Sequence, residues 1–79
     1  MRVLVVEDEA KLAKLLVRGL REEGHVADAA GRGEEALWMA QATPYDAIVL
    51  DVMLPGPNGF DVCRALRKKG VWTPVPTTT

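Results

Sequence analysis

Two short apolar runs, each ending in acidic residues, constrain this chain more than any other feature. Val3–Val6 leads directly into Glu7 and Asp8, and Ala47–Leu50 leads directly into Asp51. Neither run alternates with polar residues, which is typical of strands buried on both faces of a parallel sheet. The sequence therefore predicts two buried strands whose carboxyl ends carry acidic side chains.

Helical patterns separate these runs. A first helix is predicted because apolar positions recur three and four residues apart, at Leu12, Leu15, Leu16, Gly19 and Leu20. Gly24 follows this helix and fits a left-handed backbone position at its end. A weak strand at His25–Ala30 and a short helix at Glu34–Ala42 come next. Ala36, Leu37 and Ala40 are expected to face inward from that second helix.

The second half of the chain adds a turn, a third helix and an uncertain strand. A dense group of turn-forming residues spans Leu54–Gly59, and a third helical face begins at Phe60 and ends at Gly70. Trp72–Val75 begins like a fourth strand, but Pro76 then removes a hydrogen-bond donor. The order β-α-β-α-β-α predicts an α/β fold with a parallel sheet, in which a fourth strand is at most an edge stub.

Length, charge and cysteine content exclude several classes of function. The chain has 79 residues, a net charge of −1 and a single cysteine. A large multidomain enzyme is excluded, nucleic-acid binding by this chain is disfavoured, and no internal disulfide can form. Because no stretch resembles a signal peptide or a membrane span, we expect a cytoplasmic chain that binds no membrane.

The acidic residues are the main candidates for chemistry. If the first and third strands are neighbours, Glu7, Asp8 and Asp51 converge at the carboxyl edge of the sheet, where open α/β sheets bind ligands. Clustered carboxylates recruit a cation, and oxygen ligands suit Mg²⁺. A carboxylate beside Mg²⁺ can accept a phosphoryl group. Alternatively, acids after strands only favour the start of the next helix, an interpretation we prefer for Glu9.

Four segments together resemble the receiver domain of bacterial two-component response regulators. They are Val3–Glu9, Gly24–Val26, Gly33–Leu37 and Tyr45–Phe60. The resemblance extends from Arg2 to about Val75, and its specificity lies in combining the Glu-Asp pair with Asp-x-Met-Leu-Pro-x-x-Asn-Gly after the third strand. It implies a flavodoxin-like, doubly wound parallel sheet that is incomplete here, with three βα units and a fourth-strand stub. Residues 1–79 would then be the N-terminal part of a receiver domain.

The resemblance also implies roles for individual residues. Asp51 would accept the phosphoryl group from a histidine kinase, and Asp8 would bind Mg²⁺ directly. Glu7 would help to hold the metal, and the backbone carbonyl of Met53 would be a further ligand. The chain would be a signalling module rather than an enzyme.

Residues near the end of the chain point to a subfamily and to departures from the family. Val62–Arg67, with Gly70 and Pro74-Val75, is similar to receivers of winged-helix transcription factors, although residues 1–79 contain no DNA-binding domain. The family has five βα units, a hydroxyl residue after the fourth strand and a lysine after the fifth. Thr79 falls at the hydroxyl position, but no lysine matches.

Those departures predict self-association. The absent units would leave apolar faces uncovered at Ile48–Leu50 and at Leu15, Leu16 and Leu20. We therefore expect a homo-oligomer formed through an exposed sheet edge or through helix faces.

Three other functions are considered. A phosphatase of the haloacid dehalogenase type would need a second aspartate where Met53 stands. A flavin-binding protein would need a phosphate loop where Glu7–Glu9 would repel phosphate. The remaining alternative is an inactive fragment that acts only as a folding or assembly unit.

Overall fold

The computed structural model describes residues 1–51, 64, 65, 67, 68, 70, 77 and 78, with residues 51, 77 and 78 described through their backbone. The elements are β1 (Arg2–Val6), α1 (Ala10–Glu22), β2 (Val26–Ala30), α2 (Gly33–Ala42), β3 (Ala47–Asp51) and β4 (Thr77–Thr78). Residues 64, 65, 67 and 68 are helical, in agreement with the predicted third helix. Gly70 follows in a turn with a φ of 80°.

The four strands form one parallel sheet in the order β2-β1-β3-β4. The predicted adjacency of the first and third strands is confirmed, because Val3 pairs with Ala47 and Val6 pairs with Leu50. Val3–Val6 of β1 are all buried, as the unbroken apolar run predicts, whereas in β3 Ile48 and Leu50 are buried and Ala47 and Val49 are half-buried. This arrangement brings the carboxyl ends of β1 and β3 to the same edge.

One hydrophobic core lies between the sheet and α2. Its members share apolar side chains and almost complete burial: Leu4, Val6, Ala30, Ala36, Ala40, Tyr45, Ile48 and Leu50. The inward positions predicted for α2 are confirmed, since Ala36 and Ala40 are buried and Leu37 packs against the core.

Leu15 and Leu16 on α1 are exposed, as expected from the sequence, whereas Leu20, expected on the same uncovered face, is half-buried. Ala13 is buried and Val17 and Leu20 are half-buried, whereas Leu15 is 64% exposed and Leu16 is 38% exposed. The three-and-four spacing identified the helix correctly, but it did not identify the side that faces the sheet.

Two further expectations concern the third and fourth strands. Ile48–Leu50 was expected to carry an uncovered apolar face, but Ile48 and Leu50 are fully buried in the core beneath α2 and Val49 is half-buried. A fourth strand was expected to begin near Trp72–Val75, a segment that lies outside the described residues. The described part of β4 is Thr77–Thr78, which pairs with β3 and follows Pro76, where the sequence pattern predicted that strand pairing would end.

Local signals explain how α1 ends. Gly24 adopts a left-handed conformation with a φ of 87°, and its N–H donates to the carbonyl of Arg21. Glycine reaches this conformation without the steric cost that a Cβ atom brings. Within the part of the chain that the structure describes, no helix is long and apolar enough to cross a membrane.

Candidate functional site

The candidate site is the carboxyl edge of β1 and β3. Val6 and Leu50 are paired in register, and Glu7 and Asp51 are the residues that follow them. Because parallel strands end together, the backbone of Glu7 lies beside the backbone of Asp51. Asp8 follows Glu7 directly. The register therefore pairs the residues that precede Glu7 and Asp51, while the convergence of the three carboxylates stays a prediction.

Glu7 and Asp8 occupy different environments although they are neighbours. Glu7 is 8% exposed, and its backbone N–H donates a 3.0 Å hydrogen bond to the carbonyl of Ala30. This bond continues the pairing of β1 with β2 by one residue, which fixes the position of Glu7 at the edge. Asp8 is exposed. The pair thus offers one buried and one solvent-accessible carboxylate, an arrangement that suits a hydrated metal ion.

Glu9 belongs to the start of α1 rather than to the carboxyl edge of the sheet. It is the N-cap residue of α1 in an extended conformation, and its carbonyl accepts from the N–H of Ala13 at 2.9 Å. Its side chain forms no capping hydrogen bond. The structural interpretation preferred for Glu9 from the sequence is consistent with this position, with only the helix dipole favouring its charge.

Several predicted site groups fall outside the described residues. They are the side chain of Asp51, the carbonyl of Met53 and the hydroxyl of Thr79. The pairing of Thr78 with Asp51 places the carboxyl end of β4 at the same edge as β1 and β3. Among the described residues, no three His, Cys, Asp or Glu side chains are close enough to hold a metal ion.

A cavity beside the acidic pair was not predicted from the sequence. It has a volume of about 700 Å³ and lies between α1 and the end of β2, where its lining includes Glu7, Asp8, Lys14 and Ala30. No motif in the sequence signals this space, because it depends on how α1 lies across the sheet.

Sequence analysis also missed a polar contact in the core. The Tyr45 hydroxyl donates a 2.8 Å hydrogen bond to the carboxylate of Asp28, which lies on β2. Burial, followed by the bond to Asp28 and its charge, raises the pKa of Tyr45 to about 12. The contact fixes the segment before β3 against β2 and so supports the strand order on which the edge depends.

The sequence and fold were compared with known proteins. Residues 3–79 match the profile of the response regulator receiver domain. The chain belongs to this family. The receiver domain described here is 55% identical over 75 residues to the transcriptional regulatory protein TcrA of Mycobacterium tuberculosis, a match that covers 95% of this chain. A phosphoryl-accepting role fits the family, whose matched relatives include transcriptional regulators.

Solved structures agree with the receiver fold. The receiver domain of the Francisella response regulator 1452 superposes with a TM-score of 0.91 and 36% identity, covering 96% of this chain and 63% of that one. The response regulator TrrA of Thermotoga maritima, solved in complex with Mg²⁺ and BeF, superposes with a TM-score of 0.82 and 44% identity. That match covers 86% of this chain and 59% of TrrA. The chain spans only 30% of the length of TcrA.

Proposed function

We propose that residues 1–79 are the N-terminal part of a receiver domain that accepts a phosphoryl group on Asp51 from a histidine kinase. The parent protein is proposed to be a cytoplasmic DNA-binding transcriptional regulator. The observation that supports the proposal is the register of β1 and β3, which pairs Val6 with Leu50, the residues that directly precede Glu7 and Asp51. The family of the chain supports the same role.

The proposed metal is Mg²⁺, held by the carboxylates of Glu7, Asp8 and Asp51 and by the carbonyl of Met53. The donor set fits, because all four ligands are oxygens and Mg²⁺ prefers oxygen ligands while retaining water. Bound Mg²⁺ would neutralise negative charge on the oxygens of the transferring group. The buried Glu7 and the exposed Asp8 support this assignment, and the TrrA structure contains Mg²⁺.

The proposed transfer is a single displacement at phosphorus. A carboxylate oxygen of Asp51 forms the new P–O bond while the P–N bond of the kinase phosphohistidine breaks. The histidine nitrogen keeps the electron pair of that bond and takes up a proton. The product is an acyl phosphate on Asp51, and this chain is proposed to receive the group without turning over a substrate of its own.

The direct test is the intact mass of the protein after incubation with acetyl phosphate and Mg²⁺. We expect an added phosphoryl group in the wild type and in Asp46→Asn, and none in Asp51→Asn. Asp46 is the matched control because it precedes β3 at the opposite edge, where its carboxylate accepts from the backbone N–H of Arg2 at 2.7 Å. An adduct that persists in Asp51→Asn would show that another residue is modified.

A second candidate is an assembly unit that accepts no phosphoryl group. Exposed apolar side chains on α1 favour it, because Leu12, Leu15 and Leu16 are 40%, 64% and 38% exposed. We propose that the chain self-associates through a helix face or a sheet edge whether or not it is phosphorylated. Light scattering at increasing protein concentration tests this, and a monomer at every concentration would contradict it.

The proposal assigns no nucleic-acid or membrane contact to residues 1–79. The formal net charge of −1 gives the chain no net electrostatic attraction to nucleic-acid phosphates. DNA binding is assigned instead to the remainder of the parent regulator. A mobility-shift assay with unrelated duplex DNA should show no complex with this chain at physiological salt.

A further inference from the structure

We infer that the guanidinium group of Arg21 prevents β2 of a second copy of this chain from pairing with the outer edge of β2. Such a block is independent of the proposed phosphoryl acceptor. It restricts the self-association proposed above, because it closes one edge of the sheet to a partner strand.

β2 lies at the edge of the described sheet on the side away from β4. Among the described strands it pairs only with β1, in parallel register from Val26 to Ala30. β3 and β4 extend the sheet from the opposite side of β1, so the outer edge of β2 does not face the direction in which they are added. An edge strand carries backbone groups that no neighbouring strand satisfies, and these groups can pair with another chain.

The outward backbone groups of β2 belong to Ala27 and Ala29. The N–H of Val26 donates a 2.9 Å hydrogen bond to the carbonyl of Met1, so Val26 directs its backbone groups towards β1. Successive residues of a strand direct these groups alternately to its two sides. The N–H and carbonyl groups of Ala27 and Ala29 are therefore the ones that a further strand would bind.

Arg21 reaches this edge from α1. Its Nη2 atom donates a 2.9 Å hydrogen bond to the carbonyl of Ala27. A strand added to the edge would lie about 4.8 Å from β2 and would need that same carbonyl as an acceptor. Its N–H would therefore have to displace the guanidinium from Ala27.

The residues of β2 themselves place no charge at the outer edge. Val26 is 52% exposed and Ala29 is exposed, and both are uncharged. Asp28 is the only charged residue of β2, and its carboxylate accepts from the hydroxyl of Tyr45, which belongs to the core beneath α2. Charged side chains commonly protect edge strands, and here the charge comes from the neighbouring helix.

A second copy would meet this block twice. A contact about a two-fold axis pairs β2 with β2 in opposite directions, so both copies contribute the same edge. Each copy would lose its bond between Arg21 and Ala27, and two guanidinium groups would come to one interface, where like charges repel. Removal of the guanidinium should therefore allow the two strands to pair.

Arg18 supplies a matched control. It lies about one turn before Arg21 on the same helix, and both side chains are exposed. The guanidinium of Arg18 pairs with the carboxylate of Glu22 at 3.2 Å rather than with the sheet. Loss of Arg18 thus removes a similar charge from α1 and leaves the bond to β2 in place.

The first experiment is sedimentation velocity over a concentration series. Arg21→Met keeps an apolar stem and removes both the donor and the charge. We expect it to raise the self-association constant at least about tenfold over the wild type, whereas Arg18→Met should stay within about threefold. Circular dichroism checks that each variant is folded. An Arg21→Met protein that associates no more than Arg18→Met overturns the inference.

Amide hydrogen exchange locates the contact. In Arg21→Met, the N–H groups of Ala27 and Ala29 should exchange at least about tenfold more slowly at high protein concentration than at low concentration. The wild type should show no such change at these two residues. Association of Arg21→Met without added protection there would place the contact on another surface and would also overturn the inference.

A further substitution tests the backbone contact in a different way. Ala29→Pro, added to Arg21→Met, removes an outward N–H and no bond to β1, so it should return the self-association constant to the wild-type value. If proline prevents folding, Ala29→Lys places a positive charge at the same edge and should have the same effect. A folded double variant that still associates like Arg21→Met contradicts pairing through β2.

Discussion

The hydroxyl of Tyr45 lies 2.8 Å from a carboxylate oxygen of Asp28 and donates to it, which joins the segment before β3 to the outer strand β2. The bond spans the middle strand β1, because the sheet order is β2-β1-β3. A side-chain contact beneath α2 thus reinforces the arrangement that sets Glu7 beside Asp51.

Titration of Tyr45 should be visible without interference, because it is the only tyrosine in the chain. Burial and Asp28 raise the pKa of Tyr45 from 10.0 to about 12. Absorbance at 295 nm should therefore give a midpoint near pH 12 in the folded protein. Asp28→Asn should lower that midpoint, because it removes the negative charge facing the hydroxyl. An unchanged midpoint in Asp28→Asn would mean that Asp28 has no influence on the titration.

The same pKa shift predicts how stability depends on pH. The folded state favours the neutral Tyr45 hydroxyl. Its contribution to the free energy of unfolding is therefore complete below pH 10, the pKa of this tyrosine in the unfolded chain. That contribution is lost as the pH rises from 10 to about 12. The loss corresponds to roughly 2–3 kcal/mol. Urea unfolding of the wild type and of Tyr45→Phe across this pH range separates the effect of Tyr45 from that of lysine titration. If the free energies of unfolding of the two proteins changed in parallel with pH, the prediction would be wrong.

Leu4 and Leu15 form a matched pair for testing burial. Leu4 is completely buried in the core, whereas Leu15 is 64% exposed on α1. Leu4→Ala should lower the free energy of unfolding by about 3 kcal/mol, because it loses apolar burial and leaves a cavity. Leu15→Ala should change it by less than about 0.5 kcal/mol. Urea unfolding at high dilution, where the chain is monomeric, measures both, and equal losses would contradict the described core.

Gly24 and Gly19 form a second matched pair. Gly24 has a φ of 87°, a conformation that disfavours a Cβ atom, so Gly24→Ala should cost about 1 kcal/mol of stability. Gly19 lies inside α1 with open space around its Cβ position, so Gly19→Ala should stabilise the fold by about 0.5–1 kcal/mol. Thermal unfolding of the two variants should give shifts of opposite sign, and a shared sign would refute this account.

The proposed metal ligands can be tested separately from phosphorylation. Mn²⁺ replaces Mg²⁺ as a probe, and electron paramagnetic resonance measures the free ion. Asp8→Asn should weaken Mn²⁺ binding at least about tenfold, or about 1.4 kcal/mol, because it removes a negatively charged ligand. Glu9→Gln is the control, since Glu9 is the N-cap of α1, and it should change the affinity less than about threefold. Equal effects would indicate general charge attraction rather than coordination.

Much of the fold followed from local sequence patterns. Unbroken apolar runs identified β1 and β3, periodic spacing identified α1 and α2, and Gly24 marked where α1 ends. The acidic residues after the two runs were predicted to meet, and the register of Val6 with Leu50 brings their chain positions together. The strands and helices were predicted correctly because strand burial and turn geometry depend on the order of nearby residues, whereas the meeting of the carboxylates stays a prediction.

Other features were decided only by the tertiary structure. The spacing in α1 did not show that Ala13 is the residue that α1 buries most completely, because the burial of a helix residue depends on how the helix lies on the sheet. The bond between Tyr45 and Asp28 joins positions 17 residues apart, which no local pattern connects. The sequence alone determined which segments become strands and helices and which acids follow the strands, because those properties depend on near neighbours. Packing decided which apolar side chains remain exposed, because that depends on which surfaces the assembled sheet and helices present to one another.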